Sequence, residues 1–425
     1  GGAALAAITC ANLWLVAERA HGPFVLGAAL HAVVYGLAVW WVVRQRPPGS
    51  WDLAVILVVA VVVRAIAFPA PQSLTDDIFR YVWDGRIQWH GFNPYLWVPA
   101  APELANLRDA AIYPYIYLKE IAVTVYPPAA QMLFAAANAI HDSVWSIKAA
   151  LVVCEAVTVW AVICWLADGG LPRERVVIYA WHPLPVWEFA GQGHIDAAAI
   201  AFMMVAVLLA VRRRQGPAGA ALAVAALIKY FPIVLAPALW RRWDWRAPVA
   251  FAAVAAILTV PYALGAGPGV LGFLGGLADR EGYLAGYGFH LIWLARDFSV
   301  ADPPVAVYLV PAAVVLAAVA AVTFWRRGRD EVRPAYLVAL AAVFIWLTSP
   351  HHVWYFAWLI PLLCGHVSVA ALAMTLLCLV RYLPPMAPLV TPSTVYIATF
   401  GIPLVLAAAE AAIALQRWRR RHISS

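Results

Sequence analysis

The sequence carries little charge for its length. Asp, Glu, Lys and Arg together make up 12% of its 425 residues, whereas hydrophobic residues make up 64%. A water-soluble domain of this size needs far more polar surface, so the composition excludes that class and indicates that the lipid bilayer is the solvent. The formal net charge of +7 is not evidence for nucleic-acid binding, because most Lys and Arg residues form short clusters beside apolar runs.

Cysteine is scarce, and no Gly-rich phosphate-binding loop occurs. The five cysteines lie within or at the ends of apolar runs and lack zinc or haem spacing, which favours packing roles over a disulfide framework. Without a phosphate loop, a soluble nucleotide donor is disfavoured. The apolar residues 3–17 have no basic region before them, so a cleavable signal is not expected.

Long apolar runs recur along the whole chain and do not alternate with polar residues as barrel strands would. Each run reaches or approaches the roughly 20 residues that a membrane-spanning helix needs. This pattern predicts an all-α polytopic membrane protein in which residues 1–425 form a single transmembrane domain. The runs cover residues 24–43, 52–68, 144–167, 195–211, 247–265, 303–325 and 394–415.

Basic clusters set the predicted topology, because Lys and Arg accumulate in cytoplasmic loops. With six clusters placed inside, the chain makes about twelve crossings. Residues 69–126 and 266–302 then form the first and second extracytoplasmic loops. Residues 217–240 are predicted to form a re-entrant hairpin, and 127–140 an interfacial or re-entrant helix. The clusters are Arg44/Arg46, Arg173/Arg175, Arg212 to Arg214, Arg241/Arg242/Arg246, the 326–333 run, and Arg417 with Arg419 to Arg421.

The first extracytoplasmic loop, residues 69–126, is too rich in Trp, Tyr and Phe to be disordered. Thr75 is placed to cap a short helix that begins near Asp76 and ends at Gly91 and Asn93-Pro94. On this helix Asp77, Tyr81 and Asp84 share one face, and Arg80 follows Asp77 by three residues and is predicted to orient it.

A carboxylate at the mouth of a membrane span can accept the proton of a hydroxyl that attacks a sugar carbon. The competing interpretation is that Asp76 and Asp77 only cap the helix and pair with Arg80 or Arg86. Trp and Tyr faces bind sugar rings, so the aromatic density of the loop favours a site, although an interfacial aromatic belt explains part of that density.

Ionisable residues at membrane depth also mark functional positions, because they are costly there. His194 and Asp196 follow the outer end of one span and are predicted to face the same compartment as Asp77. Lys229 lies in the Ile228–Pro232 break, where a cation and helix ends can meet a phosphate. Further polar groups at predicted outer ends or loops are His290, His351, His352 and Tyr355.

Two of these features have other interpretations. The adjacent His351 and His352 invite a metal site, but neighbouring residues on a helix point in different directions, so a divalent metal is possible but not favoured, and no cofactor is expected. Arg64, within the third span, is predicted to reach the interface or to pair with an acidic group. Acids, cations and aromatics in a lipid setting together suit a sugar donor linked to a lipid phosphate, whose leaving group must be neutralised.

The sequence resembles the GT-C superfamily and, more closely, the bacterial polyprenol-phosphate-mannose-dependent mannosyltransferases of glycosyltransferase family 87. The resemblance spans about residues 50–365. The segments that carry it are Thr75-Asp-Asp-Ile-Phe-Arg-Tyr-Val-Trp-Asp-Gly-Arg86, Gly91-Phe-Asn-Pro-Tyr95, Tyr126-Pro-Pro128, Trp181-His-Pro-Leu184, Gly191-Gln-Gly-His-Ile-Asp196 and Leu227-Ile-Lys-Tyr-Phe-Pro232.

The resemblance implies a GT-C fold whose first outer loop holds the catalytic acid and juxtamembrane helices. It implies an inverting transfer of a hexose, with mannose as the default, from a β-linked polyprenyl-phosphate donor to an acceptor hydroxyl, which gives an α-glycoside. The partners would be the donor lipid, a glycolipid or glycan acceptor and the bilayer, with no nucleic acid. The location would be the bacterial inner membrane, with the site facing the periplasm.

The resemblance also assigns residues. The family's catalytic Asp precedes a Tyr by four positions and an Arg by nine, which fits Asp77 better than Asp76. Ile195 stands where the family usually has Asn, which puts one sugar contact in doubt, and Tyr230 replaces a usual Leu. Donor-phosphate contacts are expected from Lys229, His351, His352 and Arg80. Substrate contacts are expected from Tyr81, Asp84, Arg86, His194, Asp196, His290 and Tyr355.

Two other classes stay open. A transporter or flippase of lipid-linked sugars would show an inverted repeat with broken helices in both halves, whereas the sequence shows one break near Pro232. A ligase or polymerase that moves whole glycans would use a lipid diphosphate, for which more cations would be expected.

Overall fold

The computed structural model describes residues 1–44, 52–326, 331–384 and 389–423. Within these ranges the fold is helical and contains no β-strand. Parts of three predicted cytoplasmic clusters, namely Arg46, residues 327–330 and the side chain of Arg421, lie outside the described residues.

The described residues of the N-terminal half form nine α-helices, α1 to α9. They are Gly2–Ala17, His21–Arg44, Asp52–Ala67, Asp77–Trp89, Pro128–Ile140, Val144–Asp168, Val177–Ala180, Asp196–Val211 and Gln215–Ile228. Segments of 3-10 helix lie at Pro102–Leu107, Tyr113–Tyr115 and Arg173–Val176, and a π-helical segment lies at Pro185–Gly191.

The C-terminal half continues with α10 to α19. They are Ala236–Leu239, Arg246–Ala266, Leu274–Arg280, His290–Asp297, Val305–Arg326, Pro334–Thr348, Ile360–Leu363, Val369–Leu377, Pro392–Tyr396 and Ile402–Ile423. The 3-10 segments are Phe231–Leu235, Gly267–Leu271, Val353–Leu359 and Cys378–Tyr382, and a second π-helical segment is Ile397–Gly401.

Five helical segments of the described chain are long and apolar enough to cross a membrane: His21–Arg44, Val144–Asp168, Arg246–Arg280, Val305–Arg326 and Pro392–Arg420. The count becomes six if Pro185–Gly191 and Asp196–Val211, which are bent by 117° at their break, form one span. Apolar side chains on these helices are exposed, among them Trp40, Leu264 and Val310. Such surfaces need lipid, so the chain is a multi-pass membrane protein.

The predicted total of about twelve crossings stays a prediction. Five further apolar helices, among them Gly2–Ala17 and Pro334–Thr348, have only 10 to 17 residues. Their lengths, at 1.5 Å per residue, fall short of a hydrocarbon core of about 30 Å, so length alone does not identify them as spans.

The helix that precedes Pro232 is interrupted, as the sequence predicted. Helix α9 ends at Ile228, and Lys229 is extended, with φ −145° and ψ 138°. A short 3-10 segment, Phe231–Leu235, follows, with Pro232 as its second residue. Proline has no N–H to continue the backbone hydrogen bonding of an α-helix. The predicted break within 217–240 is therefore confirmed, while its depth in the membrane stays a prediction.

Residues 69–126, the predicted first outer loop, contain α4, the short helix predicted near Asp76. The helix begins at Asp77, and Thr75 Oγ1 accepts the Asp77 N–H at 3.3 Å. It crosses α5, the predicted helix at 127–140, at Gly85, where an added Cβ would lie 2.5 Å from the Phe134 carbonyl oxygen. Tyr81 stacks on Phe134 with ring centroids 4.6 Å apart. Close helix contact therefore holds the N-terminus of α4 in place.

Residues 266–302, the predicted second outer loop, contain α12 and α13 and pack on the first loop. The Phe273 N–H donates to the Thr124 carbonyl oxygen at 3.0 Å. Gly272, with φ +61°, makes this approach possible because an added Cβ there would overlap the Thr124 backbone. The two loops thus enclose space between them. The boundaries 69–126 and 266–302 as functional units stay predictions.

Candidate functional site

A cavity of about 480 Å³ lies between the first loop, the second loop, the end of α9 and the segment that follows α15. Its wall is aromatic and charged. The ionisable residues that line it, apart from tyrosines, are Asp76, Asp77, Arg80, Lys229, Arg280, Glu281, His351, His352 and Arg381. The cavity thus brings together Asp76 and five other residues that were predicted to act as the base or to bind the donor phosphate, namely Asp77, Arg80, Lys229, His351 and His352.

Asp77 lies at the first turn of α4, with its side chain 28% exposed. Its Oδ2 atom is 3.8 Å from Nδ1 of His194. The structure thus brings Asp77 next to His194, and the prediction that both face the same compartment stays a prediction. A carboxylate that is supported from behind and open to the cavity in front has the placement that a general base requires.

Asp76 precedes Asp77 in the cavity wall. Partial loss of solvent and the neighbouring Asp77 carboxylate raise the pKa of Asp76 above its ordinary value. Asp76 therefore holds its proton to higher pH than an ordinary aspartate.

The structure gives Arg80 and Arg86 other partners than Asp77. Arg80 Nε donates to Asp84 Oδ1 at 2.6 Å, and its Nη1 donates to the Ala122 carbonyl oxygen at 3.0 Å. The prediction that Arg80 orients Asp77 is therefore wrong, because the side chain extends toward the residue four positions later on the helix.

Arg86 is bound on the far side of α4. Its guanidinium contacts Asp109 at 2.6 Å and Asp142 at 2.7 Å. The interpretation in which Asp76 and Asp77 pair with Arg80 or Arg86 is thus also wrong, since both arginines are engaged with other carboxylates. Arg86 does not line the cavity.

Lys229 projects from the break after α9. Its Nζ lies 3.6 Å from Asp196 Oδ2 and 3.4 Å from the Tyr355 hydroxyl, and 4.8 Å from the centre of the Tyr355 ring. Asp196 is fully buried and its Oδ1 accepts from Trp358 Nε1 at 2.7 Å. A fixed ammonium group thus faces the cavity, with one carboxylate behind it.

His351 and His352 point to different partners, as expected for neighbours. His351 Nε2 contacts the Gly288 carbonyl oxygen at 3.0 Å, whereas His352 Nε2 contacts Glu281 Oε1 at 3.2 Å. Burial lowers the pKa of His351. Burial alone would raise the pKa of Glu281, but the hydrogen bond and the charge of His352 bring that pKa below its ordinary value.

Metal ligation has no obvious location in the described part of the chain. Within it, no three His, Cys, Asp or Glu side chains are grouped closely enough to hold an ion.

His290 is not brought to the cavity. It is 2% exposed, and its Nδ1 lies 2.6 Å from Ser349 Oγ. Tyr355 does line the cavity. The remaining residues with expected substrate contacts are buried behind the wall, and direct contact stays a prediction for all of them: Tyr81, Asp84, Arg86, His194 and Asp196.

Arg64 forms an ion pair with an acidic residue, which was one of the two predictions made for it. Its Nη2 lies 2.7 Å from Glu155 Oε1, and its Nη1 donates to the Ala180 carbonyl oxygen at 2.7 Å. Both side chains of the ion pair are nearly inaccessible. The pair is remote from the cavity lining and joins α3 to α6.

Four charged residues in or behind the cavity wall were missed in the sequence, namely Glu188, Arg280, Glu281 and Arg381. Glu188 is fully buried, and its Oε2 is 3.3 Å from Nε2 of His194. The available signal was an acidic residue inside the apolar stretch 176–190. Glu281 and Arg381 carried only weak signals, because charged residues in an outer loop or at a helix end are common.

Comparison with known proteins gives one match. The sequence model of glycosyltransferase family 87 matches residues 124–350, which is just over half of the chain. The matched range contains Glu188, His194, Lys229 and Glu281, and Asp77 lies before it. No curated protein matches the chain, and no solved structure matches it.

Proposed function

Since the chain belongs to glycosyltransferase family 87, of the GT-C superfamily, it is a membrane glycosyltransferase, and we propose that it uses a polyprenyl-phosphate hexose as donor. The sugar is mannose by resemblance. The acceptor is a hydroxyl of a glycolipid or glycan, and the cavity faces the periplasm at a bacterial inner membrane.

The observation that supports this proposal best is that Asp77 and basic side chains line the same cavity. Asp77 and Lys229 line the same 480 Å³ space, together with His352. A base is needed where the acceptor loses its proton, and cations are needed where the phosphate gains charge. A single space that offers both can hold the two substrates of a glycosyl transfer.

In the proposed reaction, the acceptor oxygen attacks the anomeric carbon while Asp77 takes the hydroxyl proton. The bond from that carbon to the phosphate oxygen breaks, and the phosphate leaves with the electron pair. Attack opposite the leaving group inverts the carbon, so a β-linked donor gives an α-glycoside. Lys229, His351, His352 and Arg80 are the groups proposed to bind the phosphate.

A transporter of lipid-linked sugars is the alternative from another class. The described breaks, at residues 191–196 and 229–232, both lie in the middle of the chain. A transporter built from inverted repeats would have broken helices at corresponding positions of the two halves. These two breaks instead lie close together in sequence, at the end of one half and the start of the other, so they favour the transferase.

The test is transfer from synthetic polyprenyl-phosphate-[14C]mannose to a membrane lipid extract by purified protein. Asp77→Asn keeps the side-chain shape but cannot accept the proton, so we expect transfer to fall by at least about 100-fold. Asp302→Asn removes a carboxylate that is 79% exposed and serves as the control with unchanged transfer.

Either of two results would contradict the proposal. Near wild-type transfer by folded Asp77→Asn would remove Asp77 as the base. Absence of transfer by the wild type from mannose, glucose and arabinose donors alike would favour the transporter.

A further inference from the structure

The imidazole of His194 lies between two carboxylates. Its Nδ1 is 3.8 Å from Asp77 Oδ2, and its Nε2 is 3.3 Å from Glu188 Oε2. The ring and Glu188 are fully buried, whereas Asp77 is partly open to the cavity. A substrate can therefore meet Asp77 directly, but it can meet neither His194 nor Glu188.

The local backbone fixes this arrangement. Gly193 has φ +78°, and an added Cβ would lie 2.5 Å from Ile78 Cδ1 on α4. The following His194 N–H donates to the Glu188 carbonyl oxygen at 2.9 Å. The turn thus brings the histidine against the start of α4, next to Asp77, at a position where only glycine fits without strain.

The ring is also held from its face. Trp354 stacks on it with centroids 3.8 Å apart and planes 22° apart. This contact leaves the imidazole little freedom to rotate, so its two nitrogens stay directed at the two carboxylates.

Glu188 is held in turn from behind. Its Oε1 accepts the hydroxyl hydrogen of Tyr382 at 2.8 Å, which leaves Oε2 for His194. A fully buried carboxylate is costly unless it is paired. An imidazole ring that is protonated on both nitrogens can donate to Glu188 and to Asp77 at the same time.

We propose that Glu188 and His194 are positioning residues for Asp77, which they hold in the orientation that the transfer needs. The inference rests on the proposed function. The buried His194 ring lies beside Oδ2 of Asp77, which limits how the carboxylate can turn and keeps it facing the cavity, where it can take the acceptor's proton. Glu188 keeps the ring in place, in the way that a third group orients the histidine of a hydrolase triad.

The test compares Glu188→Gln with wild type in the transfer assay, with donor concentration varied. We expect kcat to fall about 10-fold to 100-fold, the range for a group that acts through another, with donor KM changed less than about 2-fold because no substrate contact is lost. Glu188→Asp, which restores the charge, should regain part of kcat.

Glu155→Gln is the matched control. Glu155 is likewise buried and ion-paired, but with Arg64 and away from the cavity. This variant should lose thermal stability while kcat per folded molecule stays at the wild-type value. Should Glu188→Gln fail to fold, Tyr382→Phe removes the hydrogen bond to Glu188 while keeping the ring in the cavity wall, and it should lower kcat by a smaller factor at constant KM.

The results separate the two proposals. Unchanged kcat in Glu188→Gln or in Tyr382→Phe, with an active wild type, would overturn the positioning role and leave the proposed function standing. Equal changes in kcat and stability for Glu188→Gln and Glu155→Gln would also overturn it. An inactive wild type would instead contradict the proposed function itself.

Discussion

Two basic side chains of the cavity wall lie beside carboxylates. Lys229 faces Asp196, and His352 faces Glu281. Such pairs offset the cost of holding charge near the membrane. The same pairing keeps the cationic groups fixed before a phosphate arrives, so little reorganisation is needed on binding.

The Glu281–His352 pair joins the second loop to the segment after α15 and makes stability depend on pH. Because the pKa of Glu281 is below its ordinary value, the pair stabilises the fold at pH values above the unfolded-state pKa of Glu281. That stabilisation is lost as pH falls through the folded-state value.

We therefore expect His352→Gln to lower the melting temperature at pH 6, with a difference from wild type that shrinks as pH falls from 5 to 3. Melting curves of detergent-solubilised protein across this range measure it. His141→Gln changes a histidine that contacts only Ser143, and it should leave the pH dependence unaltered. A His352→Gln difference that stays constant over the range would contradict the assignment.

Glycine residues allow neighbouring helices to pack closely. Gly219 on α9 faces α11, where an added Cβ would lie 2.7 Å from the Ala247 carbonyl carbon. Small residues at such crossings let two membrane helices pack at short range. The contact matters for the site, because α9 carries Lys229 at its C-terminus.

Gly219→Ala should destabilise the protein by about 1–3 kcal/mol, since the methyl group meets backbone rather than a mobile side chain. Gly216→Ala, three residues earlier on α9, adds a methyl group where no atom lies within 4 Å. It should be neutral or slightly stabilising. Thermal unfolding of the two variants makes the comparison, and equal melting temperatures would show that the helices separate without cost.

At the scale of the whole molecule, the topology predicts which loops lie on each side of the membrane. The predicted topology puts the first loop outside and the basic cluster Arg212 to Arg214 inside. Both regions contain exposed positions, Glu103 and Arg214 among them.

In a Cys10→Ser background, Glu103→Cys should react with a membrane-impermeant maleimide in intact cells, and Arg214→Cys should react only after lysis. The substitution at Cys10 removes the native cysteine that is exposed. Labelling of Arg214→Cys in intact cells would reverse the predicted orientation, and labelling of both would contradict the number of crossings between them.

The local sequence pattern determined where helices begin and where they are interrupted. The apolar runs, the break at Pro232 and the helix that starts at Asp77 were predicted because they depend on neighbouring residues, through hydropathy, proline geometry and capping. The resemblance to glycosyltransferase family 87, carried by short motifs, was likewise available from the sequence and agrees with the match at residues 124–350.

Tertiary structure decided which side chains meet. Arg80 had Asp77 three residues before it and Asp84 four residues after it, and only the packing of α4 shows that it binds Asp84. Glu188 and Asp77 are more than a hundred residues apart, yet both approach His194. Distances across the fold depend on helix crossings and turns such as Gly193, which a one-dimensional pattern does not specify.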